Sequence, residues 1–424
     1  MVTDNRIVFR QIDKLFIFLF FASCLNSVLG LLFYVALMVY WFYGAEGGLK
    51  ALIFLTTRGI LSSAVAAVPA FSTIRWFILI GSSLIIFLNT RLNGTKKSIF
   101  NAVVLCVIGF DLIAIFSCLY ICSYPITSIF KLMCYTVSFL AVLMSIAATN
   151  EYIDWKNFIA LFYLPLFCIS LLLIPFNRFR IINNDFQGVF NHVNMFGIVA
   201  STILAFVVSA SFFERYKKLK IFFVISMLIM IFLSGSRTGM FTALIIILIS
   251  IIVNRKDMPK KIFFLLVIGC LVLLVVSSSS VISDSIYQFI FKHNNESLWY
   301  SRSELIATYK NHYAVSKLLG TGFLVPYTPG VIDCSLNFDL TVEPGNMLWM
   351  LMGDVGILGT ASFILMLVVI FRHGSRSKSH MLLTPILICM GEMVFFNPNN
   401  MSVLLYMLIG LYLFDDYEVR RVYE

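Results

Sequence analysis

The chain has 424 residues, 60% of them hydrophobic and 12% charged, and a formal net charge of +10. A mean hydropathy of +0.95 excludes an ordinary soluble domain and points to a polytopic membrane protein. The basic residues sit mainly in short loops between apolar runs, which is an orientation signal and not a nucleic-acid-binding face.

Taken in order, Arg6, Arg10 and Lys14 place the N-terminus in the cytoplasm, and no removable signal peptide is expected, because the following apolar run is long and has no small-residue cleavage site. That run, 15–42, is predicted as one span that tilts or kinks near Asn26 and Gly30. Segment 44–73, with Arg58 and Pro69, reads as an outward loop that is partly re-entrant. Further spans are expected over 74–88, 99–122, 126–148, 158–176 and 193–213. Asp111, deep in 99–122, is expected to pair with a buried polar neighbour. The loop 177–192 is polar and contains Arg178, Arg180, Asp185 and His192. After two short arms, spans follow over 262–276, 347–371, 381–396 and 401–414. The expectation is an all-α polytopic membrane protein of about 12 transmembrane helices, a single membrane domain over 1–424 with cytoplasmic ends and a large periplasmic loop at 277–345. Eight of nine cysteines fall inside predicted spans, so neither a disulfide framework nor a zinc site is expected.

The two short arms, 221–233 and 240–253, flank Ser234-Gly235-Ser236-Arg237-Thr238-Gly239 and are themselves flanked by basic clusters at 215–220 and 255–261. Both clusters want the cytoplasmic side, so the chain between them must enter the membrane and return. Arms of about 14 residues cover only ~21 Å of a ~30 Å core. The turn is therefore recessed, where irregular backbone needs a protein-lined cavity and an arginine is read as functional. Guanidinium forks suit phosphate oxygens, and the helix starting after Thr238 offers free N–H groups to an anion. The structural alternative is that Arg237 caps the preceding arm or snorkels outward.

Other candidates face the same side. In the long loop, Leu305, Ile306, Tyr309, Tyr313 and Leu318 recur at helical spacing, which predicts a surface helix with Arg302 near its start. Arg302 is either a site residue or half of a surface ion pair. Glu343, before Pro344-Gly345-Asn346, is either a helix cap or a general base for a sugar hydroxyl. His192 and Asn194 either bind a ligand or cap the next span. Gly353, Gly356 and Gly359, three apart, read as a groove for helix packing. His373 and His380 read as ordinary loop residues among cytoplasmic basics.

The order Phe190-Asn191-His192-Val193-Asn194-Met195-Phe196-Gly197, then the Arg237 turn, then Arg302 with Gly320-Thr321-Gly322, then Glu343 to Asn346 with Gly356-Ile357-Leu358-Gly359, resembles the O-antigen polymerase and O-antigen ligase superfamily. The resemblance implies a bacterial inner-membrane glycosyltransferase of the GT-C type. It implies metal-independent, inverting transfer on the periplasmic face, with no cofactor and with undecaprenyl diphosphate as leaving group. Carried over by motif, Arg237 and Arg302 would hold the diphosphate, and Asn194, with His192 and Asn346, would shape the substrate site. Ligases of the superfamily have a His near the position of Glu343 to Asn346; here the nearest candidate base is Glu343. That departure favours the polymerase, whose arginine-rich periplasmic loops also fit Arg178, Arg180 and Arg302. The implied partners are an undecaprenyl-diphosphate-linked oligosaccharide, membrane lipid and a chain-length regulator protein, with no nucleic acid. The alternatives are an O-antigen ligase that transfers glycan to lipid A–core, and a flippase or transporter of the lipid-linked oligosaccharide. A transporter needs no polar outward loop of this size, and the internal repeats common in transporters are not evident.

Overall fold

A computed structural model describes residues 6–69, 73–176, 179, 185–253, 300–326 and 345–415, and these are all-helical. Among the described residues, five helical stretches are long and apolar enough to cross a membrane: Ser27–Gly59, which reverses direction at Gly44, and Gly94–Tyr120, Pro125–Thr149, Trp155–Leu173 and Met347–His373. Shorter apolar helices lie between them. Large apolar side chains such as Phe18, Leu88, Leu105 and Leu172 are exposed on the outside of the bundle, as a lipid-facing surface requires.

The first 60 residues differ from the single span and outward loop expected of them. Helix α1 (Gln11–Ala22) ends at Ser23, and α2 (Ser27–Ala36) begins afresh under the Asn26 cap, whose Oδ1 accepts the Leu29 N–H at 2.8 Å. A 3-10 turn (Leu37–Tyr43) leads to Gly44, whose φ of 60° reverses the chain into α3 (Gly44–Gly59). The Phe20 and Phe33 rings lie 5.9 Å apart and those of Phe33 and Phe54 6.2 Å. In one straight helix the latter pair would be ~31 Å apart. The segment is thus three antiparallel passes, and α3 is buried along most of its length. Its charges near the start, Glu46 and Lys50, survive burial by pairing. Lys50 Nζ lies 2.6 Å from both Asp13 Oδ2 and Glu46 Oε1, Arg10 forks onto Glu46 at 2.7 Å, and Tyr40 donates to Asp13 at 2.9 Å. Two passes more than expected leave the direction of every later helix unchanged. The apolar pattern alone missed them because a short polar break inside a hydrophobic run looks like a kink.

Helices α4 (Ile74–Asn89), α5 (Gly94–Tyr120), α6 (Pro125–Thr149) and α7 (Trp155–Leu173) follow the expected spans. Asp111 accepts from Thr136 Oγ1 at 2.9 Å, a polar partner as expected, although Thr136 is half-buried rather than buried. Next come α8 (Val193–Ser209), the short α9 (Ser211–Arg215), α10 (Lys217–Leu233) and α11 (Arg237–Val253). After α12 (Tyr300–Val315) come α13 (Met347–His373), α14 (Ser379–Cys389) and α15 (Ser402–Phe414). Four segments meet at one end of the bundle on Asp415: Arg6 at 3.2 Å, Asn150 at 3.0 Å, Lys156 at 2.9 Å and Lys378. His380 joins that end but is no ordinary loop residue: it is buried, with its Nε2 2.7 Å from Ser209 Oγ.

Helix α13 is broken rather than grooved. Gly356 has φ 65° and ψ −169°, which interrupts the helical hydrogen bonds. The segment after α12 fills the gap: Thr321 and Gly322 N–H donate to Gly353 and Asp354 O at 2.9 and 3.0 Å, and Ile357 N–H donates to Lys317 O at 2.8 Å. A Cβ on Gly356 would lie 2.3 Å from the Leu318 carbonyl, so only glycine fits. Beyond it, Leu324 has φ 55°, with its N–H on Asp354 Oδ2 and its O on Lys131 Nζ, each at 2.9 Å. The surface helix α12 exists, but its buried face is Tyr309 and His312, while Leu318 stays exposed, because Tyr309 and His312 cover Gly353 on α13.

Candidate functional site

At the end opposite Asp415, the first turns of α8 and α11 meet the chain that follows α14. The arms around Arg237 are helices of 17 residues each, ~26 Å long, still short of a ~30 Å core. They exceed the expected arms because Lys217, Lys218 and Lys220 join the first turn of α10, while Arg237, Thr238 and Gly239 form the first turn of α11. Gly235, at φ 64°, closes α10, and Ser236 caps α11 by accepting the Gly239 N–H at 3.3 Å.

This corner is packed backbone to backbone. A Cβ on Gly197 would lie 2.2 Å from Ser236, one on Gly239 2.7 Å from Gly197 itself, and one on Gly391 2.1 Å from Thr238 Oγ1. Small residues thus let α8, α11 and the end of α14 touch, which brings Asn194 and Arg237 to neighbouring helix starts. Asp185 closes the other side: its carboxylate would meet a Cβ on Gly235 at 2.6 Å, and Phe186 N–H donates to Leu233 O at 2.9 Å. Arg237 itself is half-buried.

Glu392 is the residue that the sequence reading missed. It is buried and its Oε1 accepts from Asn194 Nδ2 at 2.9 Å. A carboxylate can only accept, so the Asn194 amide nitrogen faces inward and its carbonyl oxygen faces away from Glu392. The signal in the sequence is a lone acid inside the predicted span 381–396, which hydropathy alone does not single out.

The other candidates divide by what their side chains already do. His192 is exposed and caps α8, its Nδ1 accepting the Asn194 N–H at 3.1 Å. Asn346 caps α13, with Oδ1 accepting from Leu348 and Trp349 N–H at 3.0 and 3.2 Å and Nδ2 donating to Met390 O at 2.9 Å. Its amide is committed to the fold, and it ties the start of α13 to the residue two before Glu392. Arg302 lies on α12, seven residues before Tyr309, which packs on Gly353. Arg178, Arg180 and Glu343, and most of the loop 277–345, lie outside the described residues. Asn194, Arg237, Glu392 and Asn346 thus come together at one end of the bundle. The corner offers an arginine, an outward amide oxygen and helix starts with their partial positive charge, a combination suited to a phosphorylated saccharide.

Residues 222–364 match the family model described as O-antigen ligase. The match is consistent with the O-antigen polymerase and ligase superfamily, and it spans Arg237, Arg302, the Gly320 segment and the break in α13. Asn194 and Glu392 lie outside the matched third of the chain, so the corner is completed by segments on either side of it. No curated protein matches the chain. The match and the apolar helices together are consistent with a membrane protein.

Proposed function

We propose that the chain is a polysaccharide polymerase of the inner membrane, which joins undecaprenyl-diphosphate-linked repeat units on the periplasmic face. The observation that carries this reading is the close approach of the helix start that bears Arg237 to the one that bears Asn194, which is hydrogen-bonded to Glu392. Arg237, with Arg302, holds the diphosphate of the growing chain. Glu343 takes the proton from a sugar hydroxyl of the incoming unit. That oxygen attacks the anomeric carbon, inverting it, and the electron pair of the broken glycosidic bond leaves on the diphosphate. The arginines offset the charge that develops there, which needs no metal ion. His192, Asn194 and Asn346 border the saccharide, and Arg178 and Arg180, from the polar loop before α8, are further candidates for diphosphate binding.

The end with Asp415 is proposed to lie in the cytoplasm together with both termini, a reading supported by its cluster of basic residues and the rule that positive loops stay inside. The Arg237 corner then faces the periplasm, in a single GT-C-like membrane domain of about 12 spans or slightly more. A chain-length regulator is the expected protein partner. The ligase reading is kept because the matching family model is described as O-antigen ligase. Incubating the purified protein with its lipid-linked repeat unit and no other acceptor tests the proposal. A ladder of longer glycans is expected. Product that forms only when lipid A–core is added would replace the polymerase with the ligase, and counter-flow of intact units without new glycosidic bonds would replace it with a flippase.

A further inference from the structure

An arginine-lined cavity lies at the same end of the bundle, outside the corner just described. It measures about 130 Å³ and is lined by Tyr34 on α2, Arg58 and Gly59 at the end of α3, Val68 and Pro69, and Arg75 on α4. The connection to the corner is direct in the chain: Asn191, next to His192, donates its N–H to Ile60 O at 3.0 Å, and Ser62 N–H donates to Val189 O at 2.8 Å.

Arg58 is 3% exposed. Its Nε donates to Ser23 Oγ at 3.1 Å, and its Nη2 donates to the carbonyl oxygens of Ser23, at 3.1 Å, and of Ala67. All three acceptors are neutral. Among the described residues no carboxylate pairs with Arg58 and no hydrogen bond engages its Nη1, although it lines an open cavity. A buried guanidinium without a counter-charge is destabilising by several kcal/mol as a rule, and an anionic ligand removes that penalty. Arg75 brings a second guanidinium to the same cavity, its Nη1 3.6 Å from where a Cβ on Gly59 would sit. The volume is below the ~300–1,000 Å³ of pockets that enclose whole small molecules, so it suits a phosphoryl headgroup rather than a saccharide. The rest of the lining is largely apolar, and Val68 is exposed beside it.

We propose that this cavity binds the diphosphate headgroup of a second polyprenyl-linked saccharide, the incoming acceptor, while the Arg237 corner holds the donor. The inference rests on the polymerase reading: polymerisation joins two lipid-diphosphate-linked substrates, whereas transfer to lipid A–core uses one. Arg58 and Arg75 then fix the acceptor by its headgroup, leaving its sugar free to reach the donor's anomeric carbon.

The test counts sites on the full chain in detergent, with farnesyl diphosphate and inorganic diphosphate as probes in separate titrations. Two farnesyl diphosphates per chain are expected, falling to one in Arg75→Gln and to one in Arg237→Gln, with none in the double variant. Arg58→Lys, which keeps a charge at a position tied to Ser23 and Ala67, is expected to weaken the second site about tenfold or more. Inorganic diphosphate is expected to bind at least tenfold more weakly, since it has no chain for the apolar lining. One site in the unaltered protein, two sites remaining in Arg75→Gln, or equal affinity for the inorganic probe would each overturn the proposal. Two sites in a protein that makes no glycan ladder would leave the cavity assignment standing and remove the polymerase instead.

Discussion

At Arg237 the chemistry depends on geometry as much as on charge. A guanidinium presents a planar fork to two phosphate oxygens, and an ammonium does not. Arg237→Lys is therefore expected to lower kcat/KM for ladder formation by about 10–100-fold, the equivalent of one charge-assisted hydrogen bond of ~1.5–3 kcal/mol, with the protein still folded. Steady-state rates set beside the thermal midpoint separate the two effects. Glu392 acts one step further back. Because it holds the Asn194 amide nitrogen, Glu392→Gln permits the amide to flip, and Asn194→Ala removes the group altogether. The two changes are expected to be non-additive, with a coupling of about 1–3 kcal/mol in a double-mutant cycle on kcat/KM. Additive losses would mean that the contact has no part in activity.

Helices supply the positions, and glycines decide how closely they approach. The break in α13 stands because Gly356 takes φ 65° and because Lys317 to Gly322 satisfy the backbone groups that the break exposes. Gly356→Ala puts a methyl 2.3 Å from the Leu318 carbonyl in a conformation that side chains avoid. A loss of ~3 kcal/mol or more is expected, read as a lower thermal midpoint in detergent, together with detachment of α12 read as faster proteolysis there. Gly359→Ala also crowds a neighbour, with its methyl 2.5 Å from Val355 Cβ, but it lacks the left-handed φ of Gly356 and so should cost less. The same logic explains why α8 and α11 begin side by side: Gly197 and Gly239 leave no side chain between them.

For the molecule as a whole, Asp415 ties the N-terminus, the segment before α7 and the segment before α14 into one end. Burial alone would raise its carboxyl pKa, but Lys156 and Lys378 override that and hold it well below the ordinary carboxylate range. The sign follows from the depressed value. The ionised form is favoured in the folded state, so its stabilisation is complete above the ordinary carboxylate pKa of ~3.9 and is lost as pH falls below it toward the depressed native value. Stability in detergent should carry no slope from Asp415 between pH 8 and 5, and a falling slope below pH ~4 that Asp415→Asn abolishes. At neutral pH that variant leaves the half-buried Lys156 and Lys378 without their partner and should lose ~1–3 kcal/mol, measured by the thermal midpoint.

Composition and charge placement determined that this is a polytopic helical membrane protein, because hydropathy and loop charge are local properties that any fold of the chain must respect. The turn with Arg237 between two short helices was legible from the two apolar arms and the polar residues that separate them. The motif order carried the family, and the match over residues 222–364 bears that out. Only the tertiary structure decided the remainder. Whether 15–73 is one span and a loop or three passes depends on Asn26 and Gly44 reversing the chain, and on Lys50, Glu46, Asp13 and Arg10 meeting once it has reversed. Glu392 joins Asn194 across 198 residues, and Arg58 meets Arg75 in a cavity that no local pattern announces. Pairing over such separations is set by packing, which is a property of the folded chain and not of any window along it.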